Sequence, residues 1–188
     1  MQAMTNNSIS EAAAWTALGD RFHREIKMEP KKAMTKKPTH EQAQLHLQVY
    51  EMRRESRLRQ ARDWFFKNYF PDSFEESMRI AAPGTEGGTF VMMVFGYWDQ
   101  ACALLNYGLL HEDLFFETSG EFFPVWERIK PGIQEVRQRW VNPHFLEHME
   151  KAANRYEAWM EARSPGHIAA MREFSKQMRA QMTQTASA

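Results

Sequence analysis

Residues 144–148 read HFLEH, with two histidines four positions apart and a glutamate beside the second. This H-x-x-E-H spacing is typical of zinc-dependent hydrolysis, in which the imidazoles bind zinc and the carboxylate acts as general base. In this chain His144 and His148 would be the zinc ligands and Glu147 the base. A catalytic zinc also needs a third protein ligand and an open position. The forty residues after His148 are too few for the distant third ligand of the peptidases that use this pattern.

The helix predicted around HFLEH also disfavours a metal ion. Asn142 and Pro143 predict an N-cap followed by a first-turn proline, and the helix that they open places both histidines at the border of its buried face. The same stripe continues to Lys151 and Arg155, whose charges would repel a divalent cation. Glu147 lies four residues before Lys151, the favoured order for an ion pair. We therefore predict no metal site and keep three residues only as weak candidates: His144, His148 and Glu147.

A second set of polar residues lies inside the most apolar segment of the chain, residues 89–110. On a helical wheel these polar residues form one stripe, which consists of Asp99, Gln100 and Asn106. A helix that is apolar around most of its circumference is buried, and a buried carboxylate needs a partner or takes up a proton. We expect Asp99 to form a structural ion pair with Arg62 or Arg137. The alternative is a small-ligand pocket or a catalytic carboxylate at the same position.

The same segment has the length of a membrane span. A central aspartate would cost about 2.5–3.5 kcal/mol on insertion, and basic flanking residues are missing, so we predict a buried helix and no transmembrane span. Cys102 lies among apolar neighbours with no histidine at helical spacing, which predicts an inert core thiol. The single cysteine allows no internal disulfide, and MQAMTNNSIS at the start lacks a signal-peptide pattern. We therefore predict a cytoplasmic location.

The charges balance over the whole chain but are unevenly distributed. Lys plus Arg and Asp plus Glu each number 24, so no overall field favours nucleic acid. Residues 89–123 contain five acidic residues and no Lys or Arg; the compensating positive charge must come from elsewhere in the fold or from a partner. Lysines cluster near the N-terminus, where a solvated linker is expected and electrostatic contact with anionic lipid or nucleic acid is the alternative; they are Lys27, Lys31, Lys32, Lys36 and Lys37.

Capping residues, prolines and glycines divide the chain into helices, and no convincing strand is found. The predicted regions are an amphipathic helix over 1–28, a basic linker over 29–39, a helical core domain over 40–163, and an amphipathic helix with a tail over 164–188. Within the core we expect helices over about 39–69, 73–81, 89–107, 112–140 and 143–163. The fourth is interrupted at Gly120 and Pro124 and kinked at Pro131. The expected fold is all-α: an irregular bundle of about six to eight helices around a nearly fully buried central helix.

The first and last helices each present an apolar stripe. The stripe of the last helix is rich in methionine and consists of Ile168, Met171, Phe174, Met178 and Met182. We expect it to pack on the core domain. The alternative is an adaptable contact surface for a partner, including a second copy of the chain as a homodimer.

Three stretches resemble a family of uncharacterised bacterial domains that is catalogued only as a domain of unknown function. They are LRQARDWF at 58–65, YWDQACALLNYGLLHEDLFF at 97–116 and WERIKPGIQEVRQRW at 126–140. The matching positions are Arg59, Ala61, Trp98, Asp99, Leu104, Leu105, Gly108, Leu109, Trp126, Ile129, Pro131, Ile133 and Arg137. His111 stands where a helix-capping aspartate would be expected. The resemblance covers about residues 45–160; it implies a helical fold and brings no agreed reaction.

These observations favour a non-enzymatic helical module that binds another protein or scaffolds an assembly. The chain has no phosphate loop, no G-x-S-x-G, no CxxC pair and no Gly-rich nucleotide turn, so we predict no catalytic residues and no cofactor. The alternatives are a metal-dependent hydrolase built on HFLEH and a small-ligand pocket around Asp99.

Overall fold

The computed structural model describes residues 37–186, and this part of the chain is all-α with no strand. The predicted all-α fold is confirmed. The predicted N-terminal helix and the basic linker up to Lys36 lie outside the described residues. The helices are α1 (His40–Arg53), α2 (Ser56–Asn68), α3 (Phe74–Ile80), α4 (Glu86–Asn106), α5 (Glu112–Thr118), α6 (Phe122–Ile129), a 3₁₀ turn (Lys130–Gly132), α7 (Ile133–Arg139), α8 (Glu147–Arg163) and α9 (His167–Ala186).

The long helix predicted over about 39–69 is two helices, α1 and α2. Thr39 opens α1 with the predicted capping box, in which its hydroxyl accepts the Gln42 N–H and the Gln42 side chain accepts the Thr39 N–H. The break follows Arg53, because the Glu55 carboxylate accepts the N–H groups of Arg57 and Leu58 at 2.9 and 2.7 Å. Glu55 is therefore the N-cap of a new helix.

The central helix α4 packs against α2 and α8 and begins three residues earlier than predicted, at Glu86, with Thr85 as its N-cap. It ends as predicted at Gly108, which has a φ of +74°. The Gly108 and Leu109 N–H groups bond to the carbonyls of Leu105 and Leu104, which is a Schellman motif. One stripe of α4 faces solvent, so the helix is buried around most but not all of its circumference; the stripe consists of Thr89, Met92, Gly96 and Gln100.

Two helix boundaries in the second half of the chain differ from the prediction. Around Pro131 the chain forms a 3₁₀ turn between α6 and α7 instead of a continuous kinked helix, because proline has no N–H for the helical hydrogen bond and clashes with the preceding turn. Asn142 and Pro143 form a turn rather than the start of α8. The helix begins at Glu147, after Leu146 in a left-handed conformation with a φ of +56°.

The core is dense in aromatic side chains. Trp98 of α4 lies at its centre with no exposed surface, and the other fully buried aromatic residues are Phe65, Tyr69, Phe115, Phe116, Phe122 and Phe123. The last helix, α9, joins this core through Ile168 and Met171, whereas Phe174 is 62% exposed. Part of the predicted stripe therefore packs on the core domain; the side chains of Met178 and Met182 lie outside the part of the chain that the structure describes. Among residues 37–186, no helix combines the length and the hydropathy that crossing a membrane requires.

Candidate functional site

The HFLEH residues are engaged with one another and with Lys151. His144 lies in the turn before α8 with 78% of its side chain exposed, and its Nδ1 is 2.7 Å from the Glu147 carboxylate. The other Glu147 oxygen pairs with Lys151, the ion pair that the sequence predicts. Hydrogen bonds from Lys151 and His144 lower the pKa of Glu147 to about 2. Glu147 is thus a poor general base, because proton uptake near neutral pH would break both contacts.

His148 is turned towards a different helix from His144. Its backbone carbonyl accepts the Asn106 side-chain N–H at 3.0 Å, its Nδ1 lies 3.3 Å from the same Asn106 nitrogen, and its ring lies 5.7 Å from the ring of Tyr107. The two histidines therefore do not form a ligand pair. Within residues 37–186, no group of three or more His, Cys, Asp and Glu side chains is arranged to hold a metal ion.

Asp99 of α4 caps the N-terminus of α8. Its Oδ1 accepts the Met149 N–H at 2.8 Å, and the backbone N–H of His148 also lowers the pKa of the carboxyl. These are the second and third residues of α8, whose own N-cap position, Leu146, offers no capping side chain. Burial raises the pKa of the Asp99 carboxyl above its ordinary 3.8, and the hydrogen bond from Met149 only partly offsets this rise.

The predicted pairing of Asp99 with Arg62 or Arg137 is wrong. Arg62 and Arg53 both bind Glu121, with the Arg62 Nε 2.6 Å from the carboxylate. Arg137 donates to the Phe145 carbonyl at 3.0 Å and to Glu150 at 2.7 Å. Backbone N–H groups at a helix start satisfy Asp99 in their place. Of the other predicted members of this site, Asn106 contacts His148 whereas Gln100 is exposed.

The acidic segment 89–123 obtains its positive charge from within the fold, which was one of the two predicted sources. Glu112 lies 2.6 Å from the Arg155 Nε, and Asp113 accepts the Trp159 indole N–H at 2.7 Å. Glu117 pairs with Arg163. For Glu121, burial raises the carboxyl pKa, but hydrogen bonds and charge from Arg62 and Arg53 outweigh it and hold the pKa below its usual value. Each of the five acids is therefore matched, including Asp99 at the start of α8.

Cys102 lies on the buried side of α4. Its side chain has no exposed surface, and burial raises the pKa of the thiol well above its ordinary value. The reactive species of a cysteine is the thiolate. This geometry therefore leaves Cys102 in the protonated form, without access to a substrate.

An apolar cavity of about 230 Å³ lies between α3, α4 and α7. The exposed members of its lining are Pro83, Met92 and Trp140, which places the mouth between them. The polar side chains in the lining are those of Tyr69 and Ser77, apart from the Trp140 indole at the mouth. The hydroxyl oxygens of Tyr69 and Ser77 lie 2.6 Å apart. The other buried side chains of the lining are apolar: Ala81, Val91, Phe95, Ile129 and Val136.

Beside this mouth the chain exposes apolar side chains on a strained turn. Val141, just after the end of α7, is 88% exposed and has a φ of +53°. It occupies the left-handed position of a Schellman motif, in which the Val141 and Asn142 N–H groups bond to the Gln138 and Arg137 carbonyls. A β-branched residue is a genuine outlier there. We call Val141, together with the partly exposed Trp140 (38%) and Met92 (44%), the Trp140 surface.

The turn that carries Val141 is fixed by contacts on both sides. Arg137 holds the Phe145 carbonyl, and the Asn142 side chain accepts the His144 N–H at 3.2 Å. The Trp140 ring packs against Phe145 with 5.0 Å between ring centres. Strained conformations persist where the surroundings determine them in this way.

Neither the cavity nor the Trp140 surface was among the predicted sites. Tyr69 follows the end of α2 and Ser77 lies in α3, eight residues later, so no local spacing signals their contact. Val141 does leave a signal: a helix with two basic residues in its last turn ends before Asn-Pro, and the C′ position that usually holds glycine holds valine instead.

Comparison with known proteins assigns the chain to a family. A model of the family described as "Domain of unknown function (DUF4760)" matches residues 38–156. The chain belongs to this family. The family resemblance predicted from the sequence is confirmed, and the matched range covers α1–α7 and the first part of α8, including the cavity and the Trp140 surface. No curated protein and no solved structure gives a significant match to the chain.

Proposed function

We propose that this domain is a non-enzymatic module that binds another protein through the Trp140 surface. The observation that carries the proposal is Val141, an exposed β-branched residue held at a position where glycine would be less strained. A left-handed conformation costs an L-residue about 1–2 kcal/mol. The valine side chain makes the turn less stable and is not buried in the fold. Contact with another molecule best explains why valine occupies this position.

The composition of the Trp140 surface supports contact with a protein. Tryptophan and methionine are enriched in the centres of protein interfaces, where large side chains supply contact area. The surface is also rigid, because Arg137, Asn142 and Phe145 hold the turn. A rigid surface loses little conformational entropy when a partner binds. The two carboxylates that a hydrolase could use have structural partners: Asp99 caps a helix and Glu147 forms an ion pair with Lys151.

The full chain, used as bait in extracts of its native host, tests this proposal with two matched variants. Val141→Asp places a charge on the Trp140 surface, and aspartate tolerates the left-handed conformation better than valine does. Leu47→Asp places the same charge on α1, where Leu47 is 62% exposed. We expect the retained partner to be lost by Val141→Asp and kept by Leu47→Asp, as measured by quantitative mass spectrometry.

The same two variants, Val141→Asp and Leu47→Asp, also test whether the chain associates with itself. If the partner is a second copy of the chain, light scattering gives a dimer for the unsubstituted protein and for Leu47→Asp, and a monomer for Val141→Asp. A set of retained proteins and an oligomeric state that are identical for both variants would contradict the proposal.

A further inference from the structure

Two buried residues in the lining of the apolar cavity, Tyr69 and Ser77, together carry one hydroxyl proton without an acceptor. Tyr69 and Ser77 are 0% and 4% exposed, and their oxygens form a single hydrogen bond with each other at 2.6 Å. One hydroxyl donates in this bond, so the proton of the other needs a second acceptor. Within residues 37–186 neither hydroxyl makes a further hydrogen bond.

The cavity around this hydroxyl pair suits an aromatic ring better than it suits water. A buried water normally makes about three hydrogen bonds, and the buried side chains of the lining offer only the two oxygens of Tyr69 and Ser77. The rest of the inner wall is apolar, including Phe95 and Val91. Its volume of about 230 Å³ exceeds the ~150 Å³ that holds benzene in an engineered cavity, which leaves room for one ring and a small substituent.

We propose that the cavity is a binding site for a phenol-like group, with the ring against the apolar wall and its oxygen hydrogen-bonded to the Tyr69–Ser77 pair. The oxygen accepts the hydroxyl proton that lacks a partner, and the mouth at Met92 and Trp140 admits the ring. The mouth of the cavity shares Met92 and Trp140 with the Trp140 surface. The site itself rests on the hydroxyl pair and not on Val141, so it is tested separately from the proposed partner surface. Two sources present this chemistry: a free phenol, and the tyrosine side chain of another protein.

The full chain can be titrated with p-cresol and with toluene, which differ by one hydroxyl, and binding followed by calorimetry or NMR. An apolar cavity without a polar partner would bind toluene more tightly, because a phenol loses its hydrogen bonds to water on entry. We expect p-cresol to bind at least as tightly as toluene. Tighter binding of toluene, or no binding of either compound at millimolar concentration, would overturn the proposal.

Removal of the hydroxyl pair tests the assigned hydrogen bond. Tyr69→Phe and Ser77→Ala each leave one hydroxyl able to donate, so each single variant should keep the relative affinity for p-cresol. The double variant leaves none, and p-cresol should lose roughly three- to tenfold in affinity relative to toluene, the usual worth of one hydrogen bond. An unchanged ratio in a folded double variant would refute the role of the pair. If the double variant does not fold, the comparison of p-cresol with toluene on the unsubstituted chain still tests the proposal.

N-acetyltyrosinamide separates the two sources. Binding of both p-cresol and N-acetyltyrosinamide, with the same dependence on Tyr69 and Ser77, supports the site and indicates a tyrosine side chain, because the backbone then fits at the mouth. Binding of p-cresol alone supports the site and indicates a free phenol. A cavity-filling substitution, Ala81→Leu, should abolish both.

Discussion

Asp99 accepts the Met149 N–H at 2.8 Å and so caps α8 from the neighbouring helix α4. Asp99 therefore needs no ion pair, and the segment that contains it, residues 89–123, has no Lys or Arg. A carboxylate at a helix N-terminus is favoured by the helix dipole and by the free N–H groups of the first turn. Burial still makes its charge unfavourable, which is why the Asp99 pKa is raised.

Two substitutions at Asp99 distinguish the effect of its hydrogen bond to α8 from the effect of its charge. Asp99→Ala leaves the N–H groups at the start of α8 without an acceptor and should lower the free energy of unfolding by about 0.5–2 kcal/mol. Asp99→Asn keeps an acceptor oxygen and should lose less. Urea denaturation of both variants measures the difference, and equal losses would contradict the capping role.

The raised Asp99 pKa predicts a pH dependence with a definite sign. Because the folded state takes up the proton at higher pH than the unfolded chain, protonation of Asp99 favours folding. The unsubstituted protein should therefore gain stability relative to Asp99→Asn as the pH falls from neutral through the raised pKa towards 3.8. The charges of His148 and Glu147 act on the same carboxyl and are present in both proteins. A relative loss of stability over this range would mean that the Asp99 pKa is lowered.

At the scale of the elements, side chains from one helix cap the ends of another helix and so join the two. Arg128 of α6 donates to the Phe65 and Tyr69 carbonyls at the end of α2, at 2.8 and 3.1 Å. Its guanidinium also lies 3.9 Å from the centre of the Phe70 ring. Burial without a carboxylate partner lowers the Arg128 pKa to about 10. Arg128 is thus a C-terminal cap, as Asp99 is an N-terminal one.

Arg128→Met should lower the free energy of unfolding by about 1–3 kcal/mol, because the carbonyls at the end of α2 lose their donor while they remain buried. Arg54→Met is the matched control. Arg54 is exposed, and within residues 37–186 its one ion pair is with Glu51, one turn before it, so the loss should stay within about 0.5 kcal/mol. Chemical denaturation measures both. Equal stabilities of the two variants would contradict the assignment of Arg128 as a cap.

Local signals predicted the elements well where the deciding residue lies in the same helix. Gly108 and Thr39 were placed correctly, because a C′ glycine and a capping box are readable over a few residues. The break at Glu55 was missed, since a glutamate N-cap resembles an ordinary ion-pair residue. The partner of Asp99 was missed for a stronger reason: backbone N–H groups carry no sequence signal, and only the packing of α4 against α8 presents them.

Over the whole molecule, the charged pairs join the last helix to the core. Arg172 of α9 donates from Nε to the Glu127 carboxylate of α6 at 2.7 Å and from Nη1 to the Glu157 carboxylate of α8 at 2.9 Å. Apolar contacts of Ile168 and Met171 support this arrangement. Periodicity predicted that the last helix packs on the core domain. The cavity depends on contacts between α3, α4 and α7 that no pattern encodes, and the Trp140 surface leaves only the local signal of a valine at the C′ position of α7.

The most direct test of the account is Val141→Gly, because the central claim is that the valine side chain is kept for binding at the expense of stability. Glycine adopts the left-handed turn without strain, so the variant should gain about 1 kcal/mol in free energy of unfolding. It should also lose the partner that the unsubstituted chain retains in native-host extracts. A variant that retains this partner in full would contradict the claim.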